Sequence, residues 1–416
     1  MKINNLTITE QTYEGYGGAR QNNKLILVEN ALVGENVNVF IYKKTKNIYY
    51  ANVIKFNIKS PDRIIENSVL LQSGAALISN ISYEKQLEFK NNYVSYLFNR
   101  NLNINPNPII KSAKIWNYRN KITLFTKIIN NKINYYLKKK NSNELILVNE
   151  FKLAYEQISN ILYKIQNNKW NFNENSIISI MVRSNERQDQ FQILFEIENY
   201  NKLLIKQLSE IKLLDSRIKN ISYKLNEKIV NILNYGFSIN IENKEFVMDV
   251  NSFFQINLLQ ATLIYNQIKD FIKNTNSYNI IDVFCGVGSI GIFASNNNLV
   301  GIEIVKQAIE NAKINAQKNN IKNYKFIAAN ESNLNINFNM FDFVILDPPR
   351  AGVSAKNIQK INESSVNYIA YLSCDVRTQV RDLKLLNTYK ILSVTPYDMF
   401  PQTPHIESLC FLKKIK

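Results

Sequence analysis

The spacing of hydrophobic positions changes along the chain and separates a first segment of short strands. Residues 1–58 alternate brief apolar runs, at 6–9, 24–28 and 36–42, with turns such as the glycine-rich stretch 15–18. Several short strands separated by turn residues are typical of a closed all-β unit. We therefore predict a small oligonucleotide-binding-like β-barrel over residues 1–58.

The next segment mixes helical and strand periods. A helical pattern covers residues 83–97, and strand-like runs cover 122–129, 177–183 and 191–197. This mixture predicts an α/β middle domain over residues 59–250.

Beyond residue 250, apolar strands and amphipathic helices alternate, which predicts a parallel sheet with crossover helices on both faces. The predicted fold class is therefore α/β. It combines a Rossmann-like C-terminal domain over residues 251–416 with the middle domain and the N-terminal barrel.

The net charge of the sequence indicates what kind of partner the protein binds. The 416 residues include 51 Lys and Arg against 34 Asp and Glu, a net charge of +17, and most of the excess precedes residue 251. Such a balance suits a polyanion, although an overall abundance of Lys, Asn and Ile weakens the argument from charge alone. The segments 42–50 and 111–121 combine lysines with aromatic residues, as in nucleic-acid-binding surfaces, whereas 138–140 is typical of a solvated loop.

Other totals restrict the setting. No apolar run reaches eighteen residues and no signal segment is apparent, so we expect no membrane association and a cytoplasmic location. The three cysteines, at 285, 374 and 410, lack metal-ligand spacing, and their odd number argues against a disulfide framework. No obligate protein partner is evident, and the oligomeric state stays open.

A candidate cofactor loop follows the first strand of the C-terminal domain. The strand 280–284 leads into Gly286, Gly288 and Ser289, where the backbone can approach a ligand closely. Glu303 ends the next strand, in the position from which an acid binds ribose hydroxyls. The third glycine expected for a pyrophosphate is out of register, so an adenosyl cofactor fits better than a dinucleotide.

Candidate catalytic residues follow later strands. Asp347 precedes two prolines at the end of an apolar run, Cys374 ends another apolar run, and Glu407 lies near the single histidine, His405. A thiol with a carboxylate partner suits nucleophilic attack on a pyrimidine ring, followed by methyl transfer. The alternatives are a turn or capping role for Asp347, a buried core thiol for Cys374 and a positioning role for His405.

Five ordered motifs together resemble the RNA uracil-5-methyltransferase family. They are SFFQIN (252–257), DVFCGVG (282–288), DPPRAGV (347–353), YLSC (371–374) and DMFPQTPHIE (398–407). The resemblance extends to VENALVGE (28–35), which looks like the TRAM barrel of the ribosomal-RNA members, and to WNYRNK (116–121) in the middle domain.

The resemblance implies a role for each matching residue. Gln255 and Phe284 are expected to contact S-adenosylmethionine, Glu303 its ribose, and Asp347 the space between cofactor and base. Cys374 is then the nucleophile and Glu407 the base. Gly286, Gly288, Ser289 and Asn330 complete the expected cofactor site.

Several positions depart from the family pattern. Ser289 stands where asparagine is common, and Asn330 where an aspartate usually faces the adenine amino group, a bond that an amide oxygen can still accept. Asp375 and Val376 replace Asn-Pro after the cysteine, and we expect this change to raise the pKa of the thiol. Residues 73–76 read SGAA where many members hold iron–sulfur ligands, so we expect no cluster.

The resemblance leaves the target open. The barrel favours 23S ribosomal RNA, because transfer-RNA members generally lack it, and transfer RNA is the alternative. A non-catalytic RNA-binding or folding factor on the same scaffold is a different class of function, which the survival of Cys374 and Glu407 disfavours. Methylation of protein or nitrogen is disfavoured by the Asp-Pro-Pro-Arg motif.

Overall fold

The computed structural model describes residues 1–65, 68–295 and 298–415. Two compact units emerge. The first comprises residues 1–94, 137–146 and 400–405, and the second comprises 95–136, 147–399 and 406–416.

The first unit contains a six-stranded sheet of order β1-β5-β6-β4-β3-β2. Its strands are β1 (Lys2–Thr7), β2 (Glu10–Gln11), β3 (Gly17–Gln21), β4 (Lys24–Glu29), β5 (Asn36–Lys44) and β6 (Ile48–Ile58). Alternate apolar side chains form its core, including Ile26, Val28, Val37 and Val39. This strand-rich segment agrees with the predicted barrel-like domain.

A buried ion pair stabilises the end of this segment. The Arg63 guanidinium donates to both Glu35 carboxylate oxygens, at 2.6 and 2.8 Å, and neither side chain is more than 3% exposed. The backbone N–H groups of Leu32 and Ser60 donate to the same carboxylate. Two distant segments are thereby joined through one buried carboxylate.

The first unit also contains a loop that differs from expectation. The sequence predicts solvated residues at 138–140, but Lys140 Nζ lies 3.9 Å from the centroid of the Tyr16 ring. The Lys140 backbone N–H donates to the Gln72 carbonyl at 2.8 Å. A cation–π contact and a backbone bond therefore hold this loop against its own unit. Nearby helices are α1 (Val69–Ser73) and α2 (Tyr83–Leu102), the second five residues longer than its predicted pattern.

A seven-stranded sheet precedes the C-terminal region, in the order β13-β12-β11-β10-β7-β8-β9. Its strands are β7 (Lys121–Ile129), β8 (Lys132–Lys138), β9 (Leu145–Leu147), β10 (Ile177–Ser184), β11 (Phe191–Ile197), β12 (Ile218–Leu225) and β13 (Lys228–Asn234). Helices α3 (Glu156–Asn167) and α4 (Lys202–Glu210) accompany it, and β14 (Ser238–Ile241) and β15 (Lys244–Val247) form a separate hairpin.

The C-terminal sheet has the order β18-β17-β16-β19-β20-β22-β21. Its strands are β16 (Asn279–Val283), β17 (Asn298–Glu303), β18 (Tyr324–Ala328), β19 (Phe343–Leu346), β20 (Tyr368–Ser373), β21 (Tyr389–Tyr397) and β22 (Glu407–Lys414). Helices are α5 (Leu258–Asn274), α6 (Ser289–Ala294), α7 (Lys306–Lys318), α8 (Ala355–Glu363) and α9 (Val376–Leu385).

Strands β16 to β20 are parallel, as predicted, but β22 pairs antiparallel with both β20 and β21. No helix lies between β21 and β22. Without a crossover helix the chain returns in the opposite direction, which gives the antiparallel edge. Within the described ranges, every helix is too short or too polar to cross a membrane.

Candidate active site

The candidate residues collect where the parallel strands end. Phe284 follows β16, Glu303 ends β17, Asp347 follows β19 and Cys374 follows β20. The antiparallel pairing of Ser373 with Ser408 brings the start of β22, Glu407, to the same edge. The carboxyl edge of a parallel sheet is the usual ligand site of such folds.

The loop after β16 has an unusual backbone. Phe284 has a φ of 71°, and the N–H groups of Phe284 and Cys285 both donate to the Ile302 carbonyl at 2.9 Å. Gly286 and Gly288 also have positive φ, at 54° and 80°. A bulky residue in the left-handed region persists only where its surroundings impose it, and such outliers concentrate at functional sites.

Glu303 holds this loop in place. Its Oε2 accepts from the Gly286 N–H at 3.2 Å, and its Oε1 accepts from the Val305 N–H at 2.9 Å. Each carboxylate oxygen has a second lone pair, so the oriented group can also accept from the hydroxyls of a ribose.

Asp282 is a buried carboxyl beside the loop that the sequence analysis did not select. Its Oδ2 accepts from the Gly291 N–H at 2.9 Å, whereas its Oδ1 has no hydrogen-bond partner among the described residues. Burial raises its pKa to about 8, and the charges of Asp347 and Glu303 act in the same direction. A charged residue inside the apolar run IIDVF was the available signal.

Three other predicted cofactor residues differ from one another in burial and in their hydrogen bonds. The Gln255 side chain is 7% exposed and makes no hydrogen bond to a described residue, while Ser289 Oγ lies 3.0 Å from the Tyr265 hydroxyl. Asn330 is exposed, and its Oδ1 accepts from the backbone and hydroxyl of Ser332. Asn330 thus holds its own turn, two residues beyond β18.

The thiol of Cys374 lies among charged groups. Burial raises its pKa to about 11, and the charges of Glu407 and Asp347 add to the effect. Arg350 opposes them through its positive charge and a hydrogen bond to the thiol. Arg350 belongs to the quoted DPPRAGV motif, but the sequence analysis assigned it no role.

The two neighbouring carboxyls share this environment. Burial raises the pKa of Asp347 to about 7. Burial also raises the pKa of Glu407 well above its usual range, with the charge of Asp347 second and that of Arg350 opposing. Glu407 is 5% exposed. The edge therefore combines a thiol and two protonatable carboxyls with one arginine.

Asp375 acts differently from the sequence expectation. It is the N-cap of α9, where its carboxylate accepts from the backbone N–H groups of Arg377 and Thr378, and it also pairs with the Arg377 side chain at 3.2 Å. These donors hold its carboxylate at the start of the helix, whereas burial and the charges of Glu407 and Asp347 raise the pKa of the thiol. The thiol pKa is raised as expected, but the cause is burial.

The remaining candidates lie in packed or separate surroundings. Cys285 and Cys410 are free and buried. The His405 ring lies edge-on to the Phe400 ring, at 6.1 Å between centroids, and the His405 backbone N–H donates to Thr403 Oγ1.

The residues present fit an adenosyl cofactor. The unpaired Asp282 Oδ1 is a buried polar atom beside the loop, Gln255 is a buried amide on a neighbouring segment, and Glu303 supplies a fixed acceptor. Gly288 has a φ of 80°, a conformation that strains any residue with a Cβ, so the close turn favours glycine. Within the described part of the chain, no group of three His, Cys, Asp or Glu is arranged to hold a metal ion.

Comparison with known proteins gives a consistent result. Residues 82–415 match the profile of the tRNA (uracil-5-)-methyltransferase family. Relatives described as uncharacterized RNA methyltransferases, from Lactobacillus johnsonii and Enterococcus faecalis, are each 28% identical. The first alignment covers 99% of this chain and 98% of the relative, and the second covers 98% and 96%.

A solved structure extends the match to the whole fold. It is the Pyrococcus abyssi tRNA (uracil-54, C5)-methyltransferase in complex with S-adenosyl-L-homocysteine, at 23% identity and a TM-score of 0.78. The match covers 98% of this chain and 99% of that one. Since the profile matches most of the sequence, the chain belongs to the tRNA (uracil-5-)-methyltransferase family and is an S-adenosylmethionine-dependent RNA methyltransferase.

Proposed function

We propose that this protein methylates carbon 5 of a uridine in 23S ribosomal RNA through a covalent bond from Cys374. The observation that carries the proposal is the grouping of Cys374, Glu407, Asp347 and Arg350 at the ligand edge of the sheet. A nucleophile, a buried base and a cation beside the thiol are the groups that this reaction needs.

The first step activates the base. The thiolate of Cys374 adds to carbon 6 of the uracil, and the electron pair of the 5,6 double bond moves to carbon 5 and the neighbouring carbonyl. Arg350 stabilises the thiolate before attack, because a cation and a donated hydrogen bond both favour the charged form. When bound, S-adenosylmethionine would supply the methyl group: carbon 5 forms a bond to the methyl carbon as the bond between that carbon and the sulfonium sulfur breaks, and S-adenosylhomocysteine is the leaving group.

The second step restores the ring. Glu407 accepts the proton from carbon 5, the electrons of that C–H bond reform the double bond, and the bond between carbon 6 and Cys374 Sγ breaks. Burial makes Glu407 a stronger base than an exposed glutamate, since its pKa is raised. The raised pKa of Asp347, about 7, lets this neighbour exchange a proton near neutral pH.

The cofactor residues follow from the same edge. Phe284, Gly286, Gly288 and Ser289 form the cofactor loop, Gln255 contacts the cofactor, Glu303 binds the ribose and Asp347 lies between cofactor and base. Asn330 is the candidate for the adenine, through its Nδ2, because its Oδ1 accepts from Ser332. The ribosomal target rests on the TRAM-like N-terminal segment, and it implies a cytoplasmic enzyme.

Transfer RNA is the second candidate, and one observation favours it. The Pyrococcus abyssi protein acts on uracil 54 of transfer RNA, and its structure matches 98% of this chain, including the N-terminal strands. A counterpart of the strand-rich segment therefore exists in a transfer-RNA enzyme, which weakens the barrel as a ribosomal marker.

One experiment tests reaction and target together. The purified protein is incubated with methyl-labelled S-adenosylmethionine and either transcribed 23S ribosomal RNA or transcribed transfer RNA, and nucleosides are identified by mass spectrometry. We expect 5-methyluridine from the ribosomal transcript and none with Cys374→Ala. Product from transfer RNA alone would establish the second candidate, and absence of product from both would refute the function.

A trapping experiment tests the covalent step. Glu407→Gln removes the base but keeps the side-chain size, so the methylated adduct should persist as a slow-migrating band on denaturing gels. Cys374→Ala in the same background should abolish the band. A band that survives this second change would exclude Cys374 as the nucleophile.

A further inference from the structure

Two cations lie directly opposite each other in the second unit. Lys121 begins β7 and pairs with Arg183 of β10 in the antiparallel ladder. Directly opposite residues project from the same face of the sheet, where like charges destabilise the pairing. Such a pair needs an explanation that folding alone does not provide.

Arg183 is buried without a carboxylate. It is 1% exposed, and it donates to the Ser252 carbonyl at 2.7 Å and to the Asp249 carbonyl and Gln192 Oε1, each at 3.4 Å. These acceptors are neutral, and no carboxylate oxygen of the described residues lies within 4 Å of its guanidinium. The buried charge is solvated by dipoles but is not neutralised.

Lys121 is the accessible member of the pair. Its side chain is half-buried, and its Nζ makes no hydrogen bond or ion pair with any residue in the described ranges. Burial and the charge of Arg183 lower its pKa to about 8. An anion beside Lys121 would offset both the burial of the amine and the repulsion from Arg183, because an opposite charge favours the protonated amine.

The pair adjoins the segment that bears Gln255. The Asn120 N–H donates to the Ile256 carbonyl at 2.9 Å, and Asn120 Nδ2 donates to the Gln255 carbonyl at 3.1 Å. Arg183 binds the same segment three residues earlier, at Ser252. An anion at Lys121 would therefore lie next to a chain segment of the candidate active site.

We propose that Lys121, with Arg183 behind it, binds a backbone phosphate of the RNA substrate. This inference rests on the proposed function, because RNA is the polyanion that the enzyme takes up. A phosphate suits a lysine ammonium, which acts as a point charge on a flexible stem. Most of the excess positive charge of the chain also precedes residue 251, in the part of the sequence that contains Lys121 and Arg183.

The test compares Lys121→Gln with Lys127→Gln. Lys127 is on the same strand but pairs with Glu174 at 2.6 Å, so its charge is already compensated. Affinity for a fluorescent transfer-RNA transcript and a 23S fragment is measured by anisotropy across sodium chloride concentrations. We expect Lys121→Gln to weaken both about fivefold and to reduce the logarithmic salt slope by about one, uniformly across sequences.

Additional measurements separate a phosphate contact from a structural role. Lys121→Arg should retain wild-type affinity. Lys121→Gln should melt at or above the wild-type temperature, because a like-charge pair is removed. Its affinity for S-adenosylmethionine, measured by calorimetry, should be unchanged.

Three outcomes overturn the inference. One is an unchanged RNA affinity and salt slope in Lys121→Gln, and another is an equal loss in Lys127→Gln. The third is weakened S-adenosylmethionine binding with RNA affinity intact, which would identify the anion as the cofactor carboxylate. RNA binding is read without methylation, so a protein that binds RNA normally but forms no 5-methyluridine refutes the proposed function and leaves this contact standing.

Discussion

The reactivity of Cys374 is the most direct test of the site, because its environment opposes ionisation in the free enzyme. With a pKa of about 11, about one thiol in a thousand is ionised at pH 8, against about one in ten for a thiol at the ordinary value of 9.0. Alkylation by iodoacetamide should therefore be about a hundredfold slower at pH 8 than for an ordinary thiol. Its rate should rise about tenfold for each pH unit from 7 to 10.

Arg350→Gln sharpens this test. Arg350 lowers the pKa of Cys374, so its removal should raise that pKa and slow alkylation at pH 8 below the wild-type rate. Arg377→Gln is the matched control, since the Arg377 guanidinium pairs with the Asp375 carboxylate at 3.2 Å.

Labelling is followed by mass spectrometry of the intact native protein. Cys374→Ala gives the background from the buried Cys285 and Cys410. A rate that reaches its plateau by pH 8 would refute the reasoning, and so would faster alkylation in Arg350→Gln.

Three further predictions concern stability. The folded-state pKa of Asp282, about 8, lies above the ordinary aspartate value of 3.8, so its contribution to stability is full below about pH 4 and is lost as pH rises through 8. The melting temperature should fall over this range, less steeply in Asp282→Asn, and equal slopes would contradict this. Gly301→Ala places a Cβ 2.4 Å from the Phe326 ring and should lower the free energy of unfolding, measured in urea, by about 1–3 kcal/mol. Adding Phe326→Leu should restore part of this stability, and an unchanged urea midpoint in Gly301→Ala would contradict the close packing. Arg63→Met leaves the buried Glu35 carboxylate without its cation and should cost about 3–5 kcal/mol of unfolding free energy, whereas Lys85→Met, at an exposed pair, should change stability little. Hydrogen exchange in residues 1–65 checks the difference, and equal protection in both variants would refute it.

Periodicity predicted the elements because burial imposes it directly on the sequence. The strand pattern at 191–197 matches β11 (Phe191–Ile197), and the pattern at 122–129 lies inside β7 (Lys121–Ile129). Strand direction is a different matter, since an apolar run has the same pattern whether it lies parallel or antiparallel to its neighbour. The antiparallel pairing of β22 was therefore missed.

The site was predicted from motifs, and its supporting residues were missed for a physical reason. Cys374 and Glu407 belong to recognisable stretches of sequence, but the effect of Arg350 on the thiol arises only when two strand ends meet. Arg63 and Glu35 are likewise distant in sequence, and no local pattern couples them. Asp282 and Arg183 did carry a local signal, because each is a charge within or at the end of an apolar run.

The pairing of Ser373 with Ser408 has a consequence for how this enzyme can change. The proposed nucleophile and base lie one residue outside this pair, so their separation is set by a hydrogen-bonded ladder rather than by the intervening 32 residues. The segment between them can therefore change in length while Cys374 and Glu407 keep their spacing. A single deletion within β22 would instead turn every following side chain to the opposite face of the sheet. Register, more than loop length, is thus the feature that constrains this part of the chain.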